Sequence, residues 1–176
     1  MTESQKCIDF IKQQENMLLY LNRGMSSPRW DPIGECWDIG YGTRFYPDGT
    51  IVTSTDDPIT EEKATEYLKY YVDKCCARLS AAITGDLNQS QFDSLISIAY
   101  NEGIVPISTS LLLKYVDNNP DDLINIQLQF RRWKYSKGKV INGLLIRRNA
   151  EFQMYISELD LTLPIYSDYV QWVKIN

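Results

Sequence analysis

The sequence predicts an α+β fold: an N-terminal helix, a small antiparallel β-hairpin sheet and a mostly helical C-terminal lobe. Three observations carry that prediction. Apolar residues recur at helical spacing over 4–22, turn and strand formers crowd 23–59 around Asp48–Gly49, and helix caps follow one another from Thr60 onward. The 176 residues fit one domain over 1–176, and a 44% hydrophobic share with 12% aromatics supplies a core for it.

Taking the elements in order, a step of about 100° per residue from Glu15 puts Ile8 near +20°, Ile11 near −40°, Leu18 near −60° and Leu19 near +40°. Glu15 therefore sits at the centre of the apolar stripe of the 4–22 helix. A carboxylate there either meets a structural salt-bridge partner or lines a cleft, since unpaired burial is costly. Residues 23–36 carry two Gly, two Pro and two Ser, which predicts an irregular loop. In 37–53, β-formers flank Asp48–Gly49, a strong hairpin signal, so an antiparallel sheet is expected there.

Thr60 is placed to cap a helix that runs to about Ala82, with Glu61 and Glu62 in its first turn. Asn88 with Gln91 reads as a capping box. Phe92, Leu95, Ile96, Ala99 and Tyr100 then keep helical spacing as far as Gly103. A further helix is expected near Ser108, another at Asn119–Pro120–Asp121 with proline in its first turn, and a last one over Leu144–Leu159. The helical lobe thus spans 60–159, and the aromatic tail 160–176 is expected to pack back on the body.

Composition excludes several chemistries. The chain has no histidine, which rules out a Ser-His-Asp triad, a Cys-His pair and a His-ligated metal site. Carboxylates are left as the main acid–base groups near neutral pH. Cys7, Cys36, Cys75 and Cys76 show no CxxC spacing, so free thiols are expected and no metal site. The net charge of −5 argues against nucleic acid as a partner. No segment has the length and apolarity of a membrane span, and the start lacks the pattern of a signal peptide. Residues 123–150 carry Arg131, Arg132, Lys134, Lys137, Lys139, Arg147 and Arg148 without an acid, either a basic face for an anionic polymer or a solvated helical surface.

The carboxylates form the informative group: Glu15 on an apolar helix face, Asp31 and Glu35 in the loop, and Asp38 entering the hairpin. Glycoside hydrolysis needs two carboxyl groups in environments that push their pKa values apart. Glu15 fits the protonated role, and Asp31 or Asp38 the ionised one.

Several phrases then add specificity: WDIGYGT at 37–43, the hairpin YPDGT, ITEEKA at 59–64, LNQSQFDSLISIAYNEG at 87–103, STSLLLK at 108–114 and GLLIRRNAE at 143–151. In this order they resemble the phage-type lysozymes of glycoside hydrolase family 24, over about residues 8–157. The resemblance implies a muramidase fold that hydrolyses the β-1,4 bond between N-acetylmuramic acid and N-acetylglucosamine in peptidoglycan, without a cofactor. It implies a host-lysis role, with synthesis in the bacterial cytoplasm and release to the wall, or carriage in the virion; a monomer is expected. A catalytically inactive module for glycan binding or virion assembly is the alternative.

By resemblance, Glu15 matches the family's catalytic Glu, although Asn16 follows it where the family has Gly. Gly24 stands nine residues after Glu15, where the family has its Asp. Asp31 is the best candidate for that role, with Asn22, two residues after Tyr20, as the other. The family's water-positioning Thr is replaced by Asp38, and its closing His by Thr43. Tyr41, Asn101 and Arg148 are the candidate substrate contacts. Each has a competing role: Tyr41 with Gly42 shaping the hairpin, Asn101 capping a helix, and Arg147 or Arg148 anchoring Glu15. Trp133 fits either a sugar platform or the core.

Overall fold

The computed structural model describes residues 1–15 and 22–175, and these divide into two compact units: Gln5–Lys74, and Met1–Ser4 with Cys75–Asn176. The expected roles of Asn16, Leu18, Leu19 and Tyr20 lie outside the described residues.

In the N-terminal unit, α1 covers Gln5–Glu15 and buries Cys7, Ile8 and Ile11, which leaves Glu15 next along the 7–11–15 row of that face. Asn22, the last residue of the predicted helix, bridges to Met25 instead. Arg23 (φ 53°) and Gly24 (φ 79°) fill the turn between them, a backbone that helical periodicity does not anticipate.

Nor is 23–36 the irregular loop its composition suggested. It holds β1 (Met25–Ser26) and β2 (Arg29–Asp31); β2 pairs antiparallel with β3 (Cys36–Asp38), and β1 with β4 (Ile59–Thr60). Gly24 sits in the turn before β1 and Pro32 and Gly34 in the β2–β3 turn, and a Trp–Trp pair makes the ladder: Trp30 opposes Trp37 with ring centroids 5.7 Å apart. The Asp48–Gly49 turn forms as predicted, with Tyr46 N–H donating to Thr50 O at 2.8 Å and Asp48 Oδ1 accepting from Thr50 N–H at 2.9 Å. Next comes α2 (Glu61–Ala82), where the Thr60 hydroxyl accepts from Lys63 N–H as an N-cap. Gly40 (φ 63°) lets the hairpin backbone lie on this helix, since an added Cβ would stand 2.8 Å from Ala64 Cβ.

The other unit is helical. It contains α3 (Gln89–Glu102), α4 (Ile104–Ser108), α5 (Leu111–Asn118), α6 (Leu123–Arg132), α7 (Asn142–Tyr155) and α8 (Ser167–Ile175). The capping box of Asn88 and Gln91 is formed, and Gly103 ends α3. Two helix starts move from their predicted places. Ser110, not Ser108, caps α5, and Asp122 caps α6 while Asn119–Pro120–Asp121 makes an Asx turn ahead of it. A short hairpin, β5 (Tyr135–Ser136) with β6 (Lys139–Val140), turns at Lys137 and Gly138 and has no counterpart in the sequence reading. The last long helix is α7, two residues earlier than expected at its start and four at its end. The tail packs back: Tyr169 meets Phe152 at 6.0 Å, and the Tyr166 hydroxyl donates to Asp121 at 2.6 Å. All four cysteines are free thiols.

Candidate active site

The three predicted carboxylates all fall in the N-terminal unit. Glu15 in α1 is half-buried, and its carboxylate rests against the hairpin backbone at Gly42 (φ 81°), where an added Cβ would stand 3.0 Å from Oε2. Glycine at this position is what permits the approach.

Asp38 is buried at the end of β3, directly opposite Arg29 in the register. Arg29 Nη2 donates to Asp38 Oδ1 at 2.9 Å. Burial raises the Asp38 carboxyl above the ordinary aspartate range and outweighs the Arg29 guanidinium, which pulls it down; the negative charges of Asp31 and Glu15 push it further up. The charges of Glu15 and Asp31 therefore both reach Asp38.

Asp31 lies two residues along β2 from Arg29 and so on the same face of the hairpin. Its Oδ1 accepts from Ile33 N–H at 2.9 Å and its Oδ2 from Arg44 Nη2 at 3.0 Å. The two aspartates thus differ in setting: Asp38 is enclosed, whereas Asp31 is partly solvated, with its charge answered by an exposed arginine. Glu35 occupies the β2–β3 turn, exposed, with φ 52°. Asn22 is exposed at its bridge to Met25.

The remaining candidates are interior groups. Tyr41 is 1% exposed; its hydroxyl donates to Glu61 at 3.0 Å, and Lys12 Nζ stands 5.1 Å from its ring centroid. Burial and the Glu61 carboxylate keep that phenol protonated. Arg148, in the helical unit, is 0% exposed. Its Nη1 donates to Glu102 at 2.7 Å and its Nη2 to Asn101 Oδ1 at 2.8 Å and Glu151 at 2.9 Å, while Nε lies 2.7 Å from the other Glu151 oxygen, off line for a hydrogen bond. Glu151 also accepts from Ser97 and Arg147. Tyr41 and Arg148, the two expected substrate contacts with least exposure, thus have their polar groups engaged inside the protein. Asn101 is half-buried within α3 as an acceptor for Arg148, and Gly103 takes the helix cap in its place. Trp133 is the C-cap of α6, half-buried.

Sequence reasoning missed Arg29 and Arg44, the partners of the two aspartates. The usable signal was the near-repeat of Arg29-Trp30-Asp31 and Cys36-Trp37-Asp38 around a Pro/Gly turn, which sets Arg29 opposite Asp38. Among the described residues no group of His, Cys, Asp and Glu is arranged to hold a metal ion, and no helix is long and apolar enough to cross a membrane.

These elements define a lysozyme-like α+β protein. The pattern of the phage lysozyme family matches residues 24–151, and the chain belongs to that family. The endolysin of Bacillus phage B103 is 31% identical over 89% of the chain, and the endolysin of Acyrthosiphon pisum secondary endosymbiont phage 1 is 32% identical over 69% of it and 80% of its own length. The chain spans about half of the B103 protein, 55% of its length. Among solved structures, an endolysin from Escherichia coli O157:H7 phage FAHEc1 superposes with a TM-score of 0.74 at 32% identity, covering 93% of this chain and 97% of that one.

Proposed function

We propose that the chain is an endolysin-type muramidase, working as one lysozyme-like domain, that hydrolyses the β-1,4 bond between N-acetylmuramic acid and N-acetylglucosamine in peptidoglycan. The observation that carries this reading is the enclosed Asp38, gripped by Arg29 and sharing its field with Glu15 and Asp31. Membership of the phage lysozyme family supports it.

In this reading Glu15 is the general acid that protonates the leaving glycosidic oxygen. Asp38 stands where the family places a hydroxyl, and as a carboxylate it activates water or attacks the sugar carbon. Asp31 stabilises the positive charge that develops on the ring, with Arg44 fixing its direction. These steps use carboxylates and water alone. Tyr41, Asn101 and Arg148 act as positioning residues behind the surface. The protein is made in the host cytoplasm and meets the wall at lysis.

The test is a turbidity assay on purified walls. The wild type is expected to clear them, and Glu15→Gln to lose about a hundredfold or more of that rate while keeping its circular dichroism and melting profile. Near-normal clearing by a folded Glu15→Gln protein overturns the assignment; no clearing by the wild type overturns the activity.

A further inference from the structure

A second feature of the N-terminal unit shares no residue with the carboxylate group. Where the Asp48–Gly49 hairpin meets α2, an open cavity of about 420 Å³ is lined by Tyr46, Pro47, Asp48, Lys63, Glu66 and Tyr67. That volume lies within the roughly 300–1,000 Å³ of small-ligand sites.

The walls are aromatic. Tyr46 and Tyr67 meet edge to face at 5.6 Å, and a second such pair, Tyr70 with Tyr71 at 5.1 Å, continues along α2. Hydrogen bonds hold the frame: the Tyr70 hydroxyl donates to Pro47 O at 2.9 Å, the Tyr71 hydroxyl to Phe45 O at 2.6 Å and the Tyr46 hydroxyl to Asp56 at 2.8 Å. Tyr46, Tyr70 and Tyr71 are therefore held before any ligand arrives, and Tyr67 packs on the held Tyr46 ring.

The polar groups are charged donors and acceptors, suited to hydroxyls. Lys63 Nζ donates to both Glu66 oxygens at 2.9 Å and stands 5.1 Å from the Tyr67 ring centroid. Asp48 is exposed, and the Thr50 backbone and hydroxyl hold its carboxyl below the usual range, so it is an ionised acceptor. One ammonium against two carboxylates leaves the lining at −1, which disfavours a polyanion. The openness of the cavity suits a polymer lying across it more than an enclosed small molecule. Fixed tyrosine faces for the C–H side of a pyranose, with charged donors and acceptors for its hydroxyls, describe a saccharide site.

We propose that the Tyr46–Tyr67 cavity is an accessory binding site for an uncharged pyranose segment of the wall glycan, holding the polymer apart from the point of cleavage. The ligand class rests on the proposed function; the existence of a saccharide site does not.

The probe is the β-1,4-linked tetramer of N-acetylglucosamine, titrated into Glu15→Gln protein carrying ring-labelled tyrosine and observed by NMR. Saturable shifts of the Tyr46 and Tyr67 ring signals are expected. Tyr67→Ala should weaken the affinity read at Tyr46 about tenfold, equivalent to about 1.4 kcal/mol. Lys63→Ala, at an exposed position, should weaken it in the same direction, and serves if Tyr67→Ala does not fold. With Glu15 restored, the two variants should clear insoluble walls several times more slowly than wild type and cleave soluble glycan fragments at the wild-type rate. Ring signals that stay still at saturating tetramer overturn the site. Equal losses on walls and on soluble fragments overturn the accessory role. Lysis that survives Glu15→Gln overturns the catalytic reading alone, because the titration reads the cavity directly.

Discussion

Arg29 and Asp38 face each other across the β2–β3 ladder, joined by an Nη2–Oδ1 hydrogen bond of 2.9 Å. The pair explains how a carboxylate persists at a buried position: the charge is answered from the adjacent strand. Compensation is incomplete, since burial still raises the Asp38 carboxyl above its ordinary range. Removing the cation in Arg29→Met should raise it further. If ionised Asp38 is the working form, the acidic limb of the lysis–pH profile should move to higher pH in that variant. An unmoved limb would show that another group sets it.

The same shift predicts a dependence of stability on pH. A carboxyl whose pKa is raised by folding binds its proton more tightly in the native state than in the unfolded chain. Its contribution is therefore favourable below the unfolded value near 3.9 and is lost as pH rises through the folded value. Asp38→Asn removes the cost of ionisation. Urea unfolding should find Asp38→Asn more stable than wild type at neutral pH, with the difference closing towards pH 3. A difference independent of pH would remove Asp38 from the account.

The buried cluster of the helical unit should behave as one structural group. Arg148 bonds Asn101, Glu102 and Glu151 at 0% exposure, and burial pushes the Glu151 carboxyl up against the pull of Arg147 and Arg148. Arg148→Met strands those acceptors and should cost about 3–5 kcal/mol in denaturant unfolding. The double change Arg148→Met with Glu151→Leu should cost less than the sum of the single changes, because the second removes a charge that the first left unpaired. Additive losses would show that the two side chains are not coupled.

Much of the fold was legible because local signals and tertiary structure agree. Thr60, Asn88 and Gln91 cap as their types suggest, and the Asp48–Gly49 turn forms where it was expected. Elements whose identity is set by distant pairing were not legible. β1 exists because Met25–Ser26 finds Ile59–Thr60, more than thirty residues away in the chain, and Pro28, Pro32 and Gly34 mask β2 in any composition window. At the site, the carboxylates were visible as residue types on particular faces. Arg29 and Arg44 were not, since a cation acquires its partner only through register. Burial likewise decided Tyr41 and Arg148, whose motifs say nothing of depth.

The basic window gives a prediction that the structure narrows. Arg147 and Arg148 are buried against Glu151, so the surface cations are Arg131, Arg132, Lys134, Lys137 and Lys139, at the end of α6 and on the β5–β6 hairpin. If they draw the protein to an anionic wall, clearing should weaken as the Debye length falls from about 10 Å at 0.1 M salt to about 3 Å at 1 M. Lys137→Glu with Lys139→Glu should flatten that dependence. Activity unaffected by salt would mark this surface as merely solvated.

The last prediction concerns Asp38→Thr, which restores the residue type the family places there. Were Asp38 a lesion, kept apart from catalysis, the change would relieve its repulsion with Asp31 and Glu15 and raise the rate of lysis. The geometry points the other way. Arg29 is spent on holding the Asp38 carboxylate at 2.9 Å, and Asp38 lies within reach of the charges of Glu15 and Asp31 rather than apart from them. Asp38→Thr should therefore slow lysis by about a hundredfold, the scale of one general base, and it should also leave Arg29 without its partner carboxylate. Pairing it with Arg29→Met separates the two effects: the double variant should regain stability but not activity. The product anomer, followed by NMR in early turnover of wild type, identifies the role that is lost. A β-anomer makes Asp38 the nucleophile of a retaining reaction, and an α-anomer makes it the base that activates water. Faster lysis by Asp38→Thr would sink the active role in either form.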